Sequence, residues 1–276
     1  MKLKYNSKSI RPFMVRFLAL WQYKGFVLGM VWREFRGRYL NSLLGSIWSI
    51  LNPMAMVFVY TVIFSKLMRA RIDGVDDSMA FGLFICAGLL SWGFFSELLS
   101  RCPNIFIDQA NLLKKVSFPR TTLPVILLFS TTINFAIIFI IFLIFLILTG
   151  RFPGWAIISF IPLLLMQQAF ALGLGMLLGT LNVFFRDVGH FLSIVLQFWF
   201  WLTPIVYPMS ILPERIYDML KLNPMTQLVV AYQNIILLGK WPNWDQFRFH
   251  IIITFVILII GFSVFKKLSV DIVDEL

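Results

Sequence analysis

The feature that most limits what this chain can fold into is a series of unbroken apolar runs, eighteen residues or longer, recurring along its length. As a helix, such a run is long enough to cross the roughly 30 Å hydrocarbon core of a bilayer. The runs are continuous rather than alternating, which argues against a membrane β-barrel, whose strands alternate apolar and polar residues. Composition agrees. Of the 276 residues, 59% are hydrophobic and 13% charged, against roughly 25% charged in a soluble domain, and mean hydropathy is +0.85. So little polar surface cannot cover a soluble globule, and the fold class expected is an all-α polytopic membrane protein.

Six spans are expected, at about 43–65, 80–100, 120–149, 155–185, 190–207 and 248–267. The stretch from Met225 to Leu238 is too short to cross and follows Pro208, Pro213 and Pro224. Residues 208–240 therefore read as short re-entrant or interfacial helices on one side. The net charge of +11 would suggest nucleic acid in a soluble protein. In a membrane protein its distribution matters more. With the N-terminus inside, sixteen Lys and Arg fall on the inner segments and eight on the outer ones, so N-in, C-in is expected and no nucleic-acid partner is. The division is then a cytoplasmic 1–42, a transmembrane domain 43–268 and a cytoplasmic tail 269–276. The first long apolar run starts near Leu43, which speaks against a cleavable signal peptide. Cys86 and Cys102, sixteen residues apart around one span, form no disulfide framework.

Within 1–42, residues 13–39 read as a basic amphipathic helix in the membrane interface. Phe17, Trp21, Leu28, Trp32, Phe35 and Tyr39 form its apolar face, with Lys24, Arg33, Arg36 and Arg38 around it. It serves either as a membrane anchor or as a contact for a partner or substrate. Arg33, Arg36 and Arg38 suit a diphosphate or anionic lipid head groups equally.

No phosphate-binding loop and no metal-ligand spacing occurs in the sequence, and no catalytic residue is apparent. His190 and His250 read as ordinary interfacial residues. The only acid inside a span is Glu97, near its end, where an ion-coupled transporter would place ionisable groups mid-membrane. A transporter of this kind needs energy from a partner. The 30 Phe, 9 Trp and 7 Tyr include Trp92, Trp199 and Trp201 well inside spans, away from the interfaces Trp usually prefers. Phe198 and Trp201 share one face of span five. Ser42, Ser46, Ser49, Pro53, Met56 and Tyr60 share one face of span one. Each group serves either helix packing or a pathway. The pathway candidates are Ser46, Ser49, Tyr60, Trp92, Phe198 and Trp201; aromatic faces suit sugar rings, which present apolar C–H surfaces. In span four, Gly173, Gly175 and Gly179 read as a close helix contact, and Gln167 and Gln168 as polar glue or pathway lining.

Three segments carry a resemblance. The start of span one reads Arg38-Tyr39-x-Asn41-Ser42-Leu43-Leu44-Gly45-x-Ile47-Trp48, then Asn52-Pro53. After span four comes Asn182-x-Phe184-Phe185-Arg186-Asp187-Val188. Span five closes on Leu202-Thr203-Pro204-Ile205-Val206-Tyr207-Pro208. Together they resemble the ABC-2 permeases, and among them the polysaccharide-export permeases of O-antigen, capsule and teichoic acid systems. The resemblance implies a homodimer forming a translocation channel in the bacterial inner membrane, paired with two ATP-binding cassette subunits that carry the ATP and Mg. It implies a coupling loop at 103–119, with Asp108, Gln109, Lys114 and Lys115 facing the ATPase, and periplasmic gate helices at 208–240. It implies a polysaccharide cargo on an undecaprenyl diphosphate carrier, O-antigen being favoured by the long segment before span one. No cofactor is expected on this chain, and membrane lipids are its other partners. The alternatives are capsule or teichoic acid export, and a drug or lipid exporter of the same family. From other classes come an integral-membrane glycosyl- or acyltransferase, which would need clustered catalytic acids or histidines at a membrane face, and a structural scaffold.

Overall fold

The computed structural model describes residues 23–37, 47–63, 79–116, 118–269 and 271–276, and every element among them is helical. In chain order the helices are α1 Lys24–Gly37, α2 Trp48–Val62, α3 Ala80–Arg101, α4 Ile105–Asp108, α5 Ala110–Lys115, α6 Thr122–Leu148, α7 Phe160–Phe184, α8 Asp187–Trp201, α9 Glu214–Lys221, α10 Pro224–Leu238, α11 Arg248–Leu268 and α12 Ile272–Glu275. Four stretches are long and apolar enough to cross a membrane: Ala80–Arg101, Thr122–Leu148, Gly154–Phe184 and Trp244–Leu268. They fall on the second, third, fourth and sixth expected spans. α2 and α8 have 15 residues each, about 22 Å of helix, short of the hydrocarbon core alone.

The fifth expected span, 190–207, is not one helix. α8 stops at Trp201, and Thr203 and Ile205 turn fully buried into the bundle. Pro204 causes the break: it has no N–H to give and disfavours helical backbone at the residue before it. The excursion that follows is closed by one side chain. Asn223 Nδ2 donates to Leu202 O at 2.9 Å and to Thr203 Oγ1 at 3.0 Å. Its Oδ1 accepts from Met225 N at 3.0 Å, capping α10, and from Trp199 Nε1 at 2.8 Å. α9, inside this excursion, is short, charged and mostly exposed, whereas α10 is buried against α3 through Leu228, Val229, Tyr232 and Ile235.

α3 is the central post, packed on α2, α6, α7, α8 and α10 and buried over most of its length. A side chain at Gly88 would stand 2.9 Å from Gln233 Nε2 and 3.1 Å from Ile205 O, so glycine is what lets α10 and the turn at 203–205 close on it. Gln167 Nε2 donates to Ser91 O at 2.7 Å and Gln168 Nε2 to Thr132 Oγ1 at 2.9 Å; both are glue between helices. His250 is packed inside the protein rather than at its surface. It is fully buried, its ring 5.4 Å from that of Phe170 and its Nδ1 3.1 Å from Pro224 O. His190 is exposed.

The glycines of α7 make two different contacts. Gly173 meets α11, where a Cβ added to Gly261 would come within 2.3 Å of Gly173 O. This is a backbone-on-backbone approach of the kind small residues permit in membranes. Gly175 and Gly179 instead receive Cys102, just past α3. We expect Gly261→Leu to force α7 and α11 apart at a cost of at least about 1–3 kcal/mol, with earlier thermal aggregation of the detergent-purified protein. Gly29→Ala, where a Cβ meets nothing within 4 Å, should melt no earlier than the parent, since alanine favours the helix.

Candidate functional site

One end of the bundle gathers charged and polar groups around a second apolar core. The 103–119 segment folds there as α4 and α5. Phe106 is fully buried and stacks on Phe265 of α11 with centroids 5.8 Å apart. Leu113 joins Val27 and Val31 of α1, Ile126, Met176 and Ile272 of α12 in the same cluster. These apolar anchors leave Asp108, Lys114 and Lys115 exposed and Gln109 half-buried, so the segment has a fixed inner face and a free polar outer one.

Asn182, 2% exposed, holds this segment to the α7–α8 corner. Its Nδ2 donates to Pro103 O at 2.9 Å, and its Oδ1 accepts from Gly189 N at 2.8 Å. An Asp at this turn suits either a cap on α8 or a pair with a basic residue, but Asp187 is exposed, occupies the first helical turn, and no side-chain cap is made there. Asn182 closes the helix start from outside it. Asp187 still lies where the helix dipole favours an anion.

A polar chain ties α1 to the spans. Arg101 pairs with Glu34 of α1 and lies 3.6 Å from Glu97. Ser130 Oγ donates to Glu34 at 2.8 Å and Asn134 Nδ2 to Glu97 at 2.6 Å. Glu97 thus shares Arg101 with Glu34 and also accepts from Asn134, which lowers the cost of placing its charge there. α1 docks through a face other than the sequence stripe. Val27 and Val31 are buried, while Leu28 and Trp32 are 64% and 56% exposed. Leu28 and Trp32 face outward, while Val27 and Val31, with Phe26 and Met30 packed beside them, and Glu34 face the bundle. Arg33 and Arg36 are exposed, Arg36 with its guanidinium 4.9 Å from the Trp32 ring; Arg38 lies outside the described residues. Beside them a cleft of about 380 Å³ is lined by Arg33, Glu34, Arg101, Asn104, Asp108 and Gln109.

The aromatic candidates divide. Tyr60 and Trp92 border an apolar cleft between α2, α3 and α6. Trp92 is buried, packed on Phe95, Trp199 and Phe200 with centroids 5.6, 6.4 and 5.9 Å away, so its ring is committed to the core of this chain. Phe198 and Trp201 stand outward from α8, 65% and 60% exposed. Ser46 lies outside the described residues, as does the side chain of Ser49. Sequence reasoning gave no role to Glu34, Arg101, Asn182 or Asn223. Glu34 is the only acid before Asp73, a signal that its basic surroundings concealed. Asn223 before Pro224 is the cap-then-proline pattern of a helix start.

Comparison with known proteins follows the same lines. The family described as ABC-2 type transporter matches residues 27–237. The chain is 33% identical over 257 residues to an O-antigen export system permease protein RfbA of Myxococcus xanthus, covering 92% of this chain and 96% of that one. It is 28% identical over 238 residues to an O-antigen export system permease protein RfbA of Klebsiella pneumoniae, covering 86% and 89%. It is 23% identical over 238 residues to the polysialic acid transport protein KpsM of Escherichia coli, covering 85% and 90%.

Two outcomes are expected. Asn182→Leu leaves the Gly189 N–H and Pro103 carbonyl without this partner, a loss of about 1–3 kcal/mol per buried group, visible as increased protease cleavage within 103–119. Burial pushes the Cys102 thiol from an ordinary 9.0 up to about 12, with nearby Arg101 acting the other way. The folded protein should therefore resist maleimide at Cys102 at pH 8 and react once denatured. Above about pH 9 only the unfolded thiol ionises, so this group makes stability fall as pH rises towards 12. Full Cys102 labelling of the native protein would contradict its burial.

Proposed function

The chain belongs to the ABC-2 type transporter family, and from that we propose that it is the membrane permease subunit of an exporter of lipid-linked O-antigen polysaccharide. The near full-length likeness to O-antigen export permeases carries this reading. ATP hydrolysis belongs to a separate subunit. On this reading two permease copies and two ATP-binding cassette subunits assemble in the bacterial inner membrane, and the cargo rides on an undecaprenyl diphosphate carrier. Each permease has six spans, N-in and C-in, with α2 and α8 as the two short ones. The end holding α1, α4, α5 and α12 is the cytoplasmic one. The basic residues Arg33, Arg36, Lys114, Lys115, Lys266 and Lys267 sit on elements that meet there, as the positive-inside rule requires.

α4 and α5 are the coupling segment. Asp108, Gln109, Lys114 and Lys115 meet the ATPase, and Asn182 passes the displacement to α7 and α8. Arg33 and Arg36, with Arg38, meet the carrier diphosphate or lipid head groups. α9 and α10 are the re-entrant gate on the opposite face. The pathway runs between copies along the exposed side of α8, where Phe198 and Trp201 give sliding aromatic contacts, and Ser46, Ser49 and Tyr60 of span one are its other candidates. Trp92 supports that wall from within by holding Trp199 and Phe200.

Deleting the gene should make lipid-linked glycan accumulate on the cytoplasmic side and restore to the surface only on complementation. A deletion strain with normal surface polysaccharide would overturn the reading. Lys114→Glu with Lys115→Glu should abolish export while the permease stays inserted at normal level, because both lysines are exposed. Trp201→Ala, likewise at an exposed position, should slow export of long polymer several-fold without lowering permease abundance, measured by polymer length profiles against membrane immunoblots.

A further inference from the structure

Gly93 lies inside α3, a helix otherwise buried and closely packed, yet a Cβ added there would meet nothing within 4 Å. Gly88 on the same helix is required by close contacts; Gly93 is not. Alanine would favour the helix there by about 1 kcal/mol. What the missing side chain leaves open is a cleft of about 360 Å³ between α2, α3 and α6, walled by Val57, Tyr60, Leu90, Phe135 and Ile138 among others.

Three properties define its occupant. The wall is mostly apolar, its polar side chains being Tyr60 and, at one end, Glu97, where Asn134 and Arg101 hold the carboxylate. An apolar shaft thus ends on a charged group at the end of its helix. Along α3 the lining runs from Cys86 to Glu97, about 16 Å of helix, the depth of one leaflet of a roughly 30 Å hydrocarbon core. The space is too small for a helix of a second copy, which is about 10 Å across. We propose that this cleft binds one acyl chain of a membrane phospholipid, its head group at the level of Arg101. An undecaprenyl chain is far longer than one leaflet and does not match this depth. The proposal requires only that the bundle is in a membrane, not that it exports a polysaccharide.

The test uses the full chain in vesicles of phosphatidylethanolamine and phosphatidylglycerol, with a phosphatidylglycerol carrying a diazirine on one acyl chain. The protein is extracted in detergent, freed of bulk lipid by gel filtration, and only then irradiated and mapped by mass spectrometry. Retained label is expected on peptides containing Leu90 and Ile138 and not on the outward Ile259, which is 64% exposed. Gly93→Leu should cut that label about tenfold, equivalent to 1.4 kcal/mol of affinity, with unchanged elution. Ile138→Trp fills the cleft from the opposite wall and serves if the first variant does not fold. Label absent from the cleft, or undiminished in both variants, overturns the proposal. So does stronger retention of a diazirine-bearing polyprenyl phosphate than of the phospholipid, which makes the cleft a carrier site. Ready disulfide formation between two copies of Met56→Cys also overturns it, because a second copy then covers the opening.

Discussion

The interaction on which the rest of this bundle depends is a carboxamide side chain bonded to backbone where a helix breaks. In hydrocarbon no water satisfies a freed N–H or C=O, so every interruption of a span must be repaired by protein. Here the repairs are made by side-chain amides, buried at Asn182 and Gln233 and half-buried at Asn223. Asn223 takes up Leu202 O and caps Met225 N. Gln233 Nε2 donates to Pro204 O at 3.0 Å. Asn182 serves Pro103 O and Gly189 N. Each amide offers donor and acceptor on one short arm, so a single residue closes both sides of a break. Two of the three sequence segments that carry the family resemblance are the sites of such breaks, and that accounts for their specific spacing within otherwise generic apolar sequence.

These repairs divide the bundle into parts of different character. α3, α6, α7 and α11 are long and continuous, joined by glycine contacts and interlocking rings, and behave as a frame. α8 and α10 are short and meet at Asn223, so the backbone between them leaves and returns at one point. Reorienting such an element needs few bonds to change, whereas sliding α11 along α7 would cost the contact at Gly173 and Gly261. Asn182 joins the frame to the exposed α4–α5 segment. It bonds both Pro103, just before α4, and Gly189 of α8, so one side chain links the two.

How much of this was legible in the sequence follows from which forces are local. Hydrophobicity over twenty residues is a local sum, so four spans stood out, and the glycine repeat of α7 was rightly read as a close contact. Partner identity is not local. Gly175 and Gly179 do meet a helix, but at its end, where Cys102 caps α3. Leu28 and Trp32 defined an apolar face of α1, but the docking face is set by Glu34 meeting Arg101, which lies 67 residues away. Asp187 has the composition of a cap, yet Asn182 takes the bond from outside the helix. The end of span five was missed because Thr203-Pro204 is tolerated in many membrane helices as a kink; that it is a full stop here depends on Asn223 twenty residues on.

The outward side of α8 shows what a surface with two solvents requires. Successive residues on a helix turn by about 100°. On that basis exposed His190, Ser193 and Gln197 form one strip, and exposed Phe191, Ile194, Phe198 and Trp201 form the adjoining one. Lipid would suit the second strip alone and leave the amide of Gln197 unpaired at a cost of a few kcal/mol. Water would suit the first and strand four large apolar side chains. On the proposed function such a surface suits a sugar polymer, with hydroxyl edges for the polar strip and C–H faces for the rings. A second copy of α8 packed by twofold symmetry would bury the apolar strip and leave the polar one lining the gap, and the two descriptions then concern the same face.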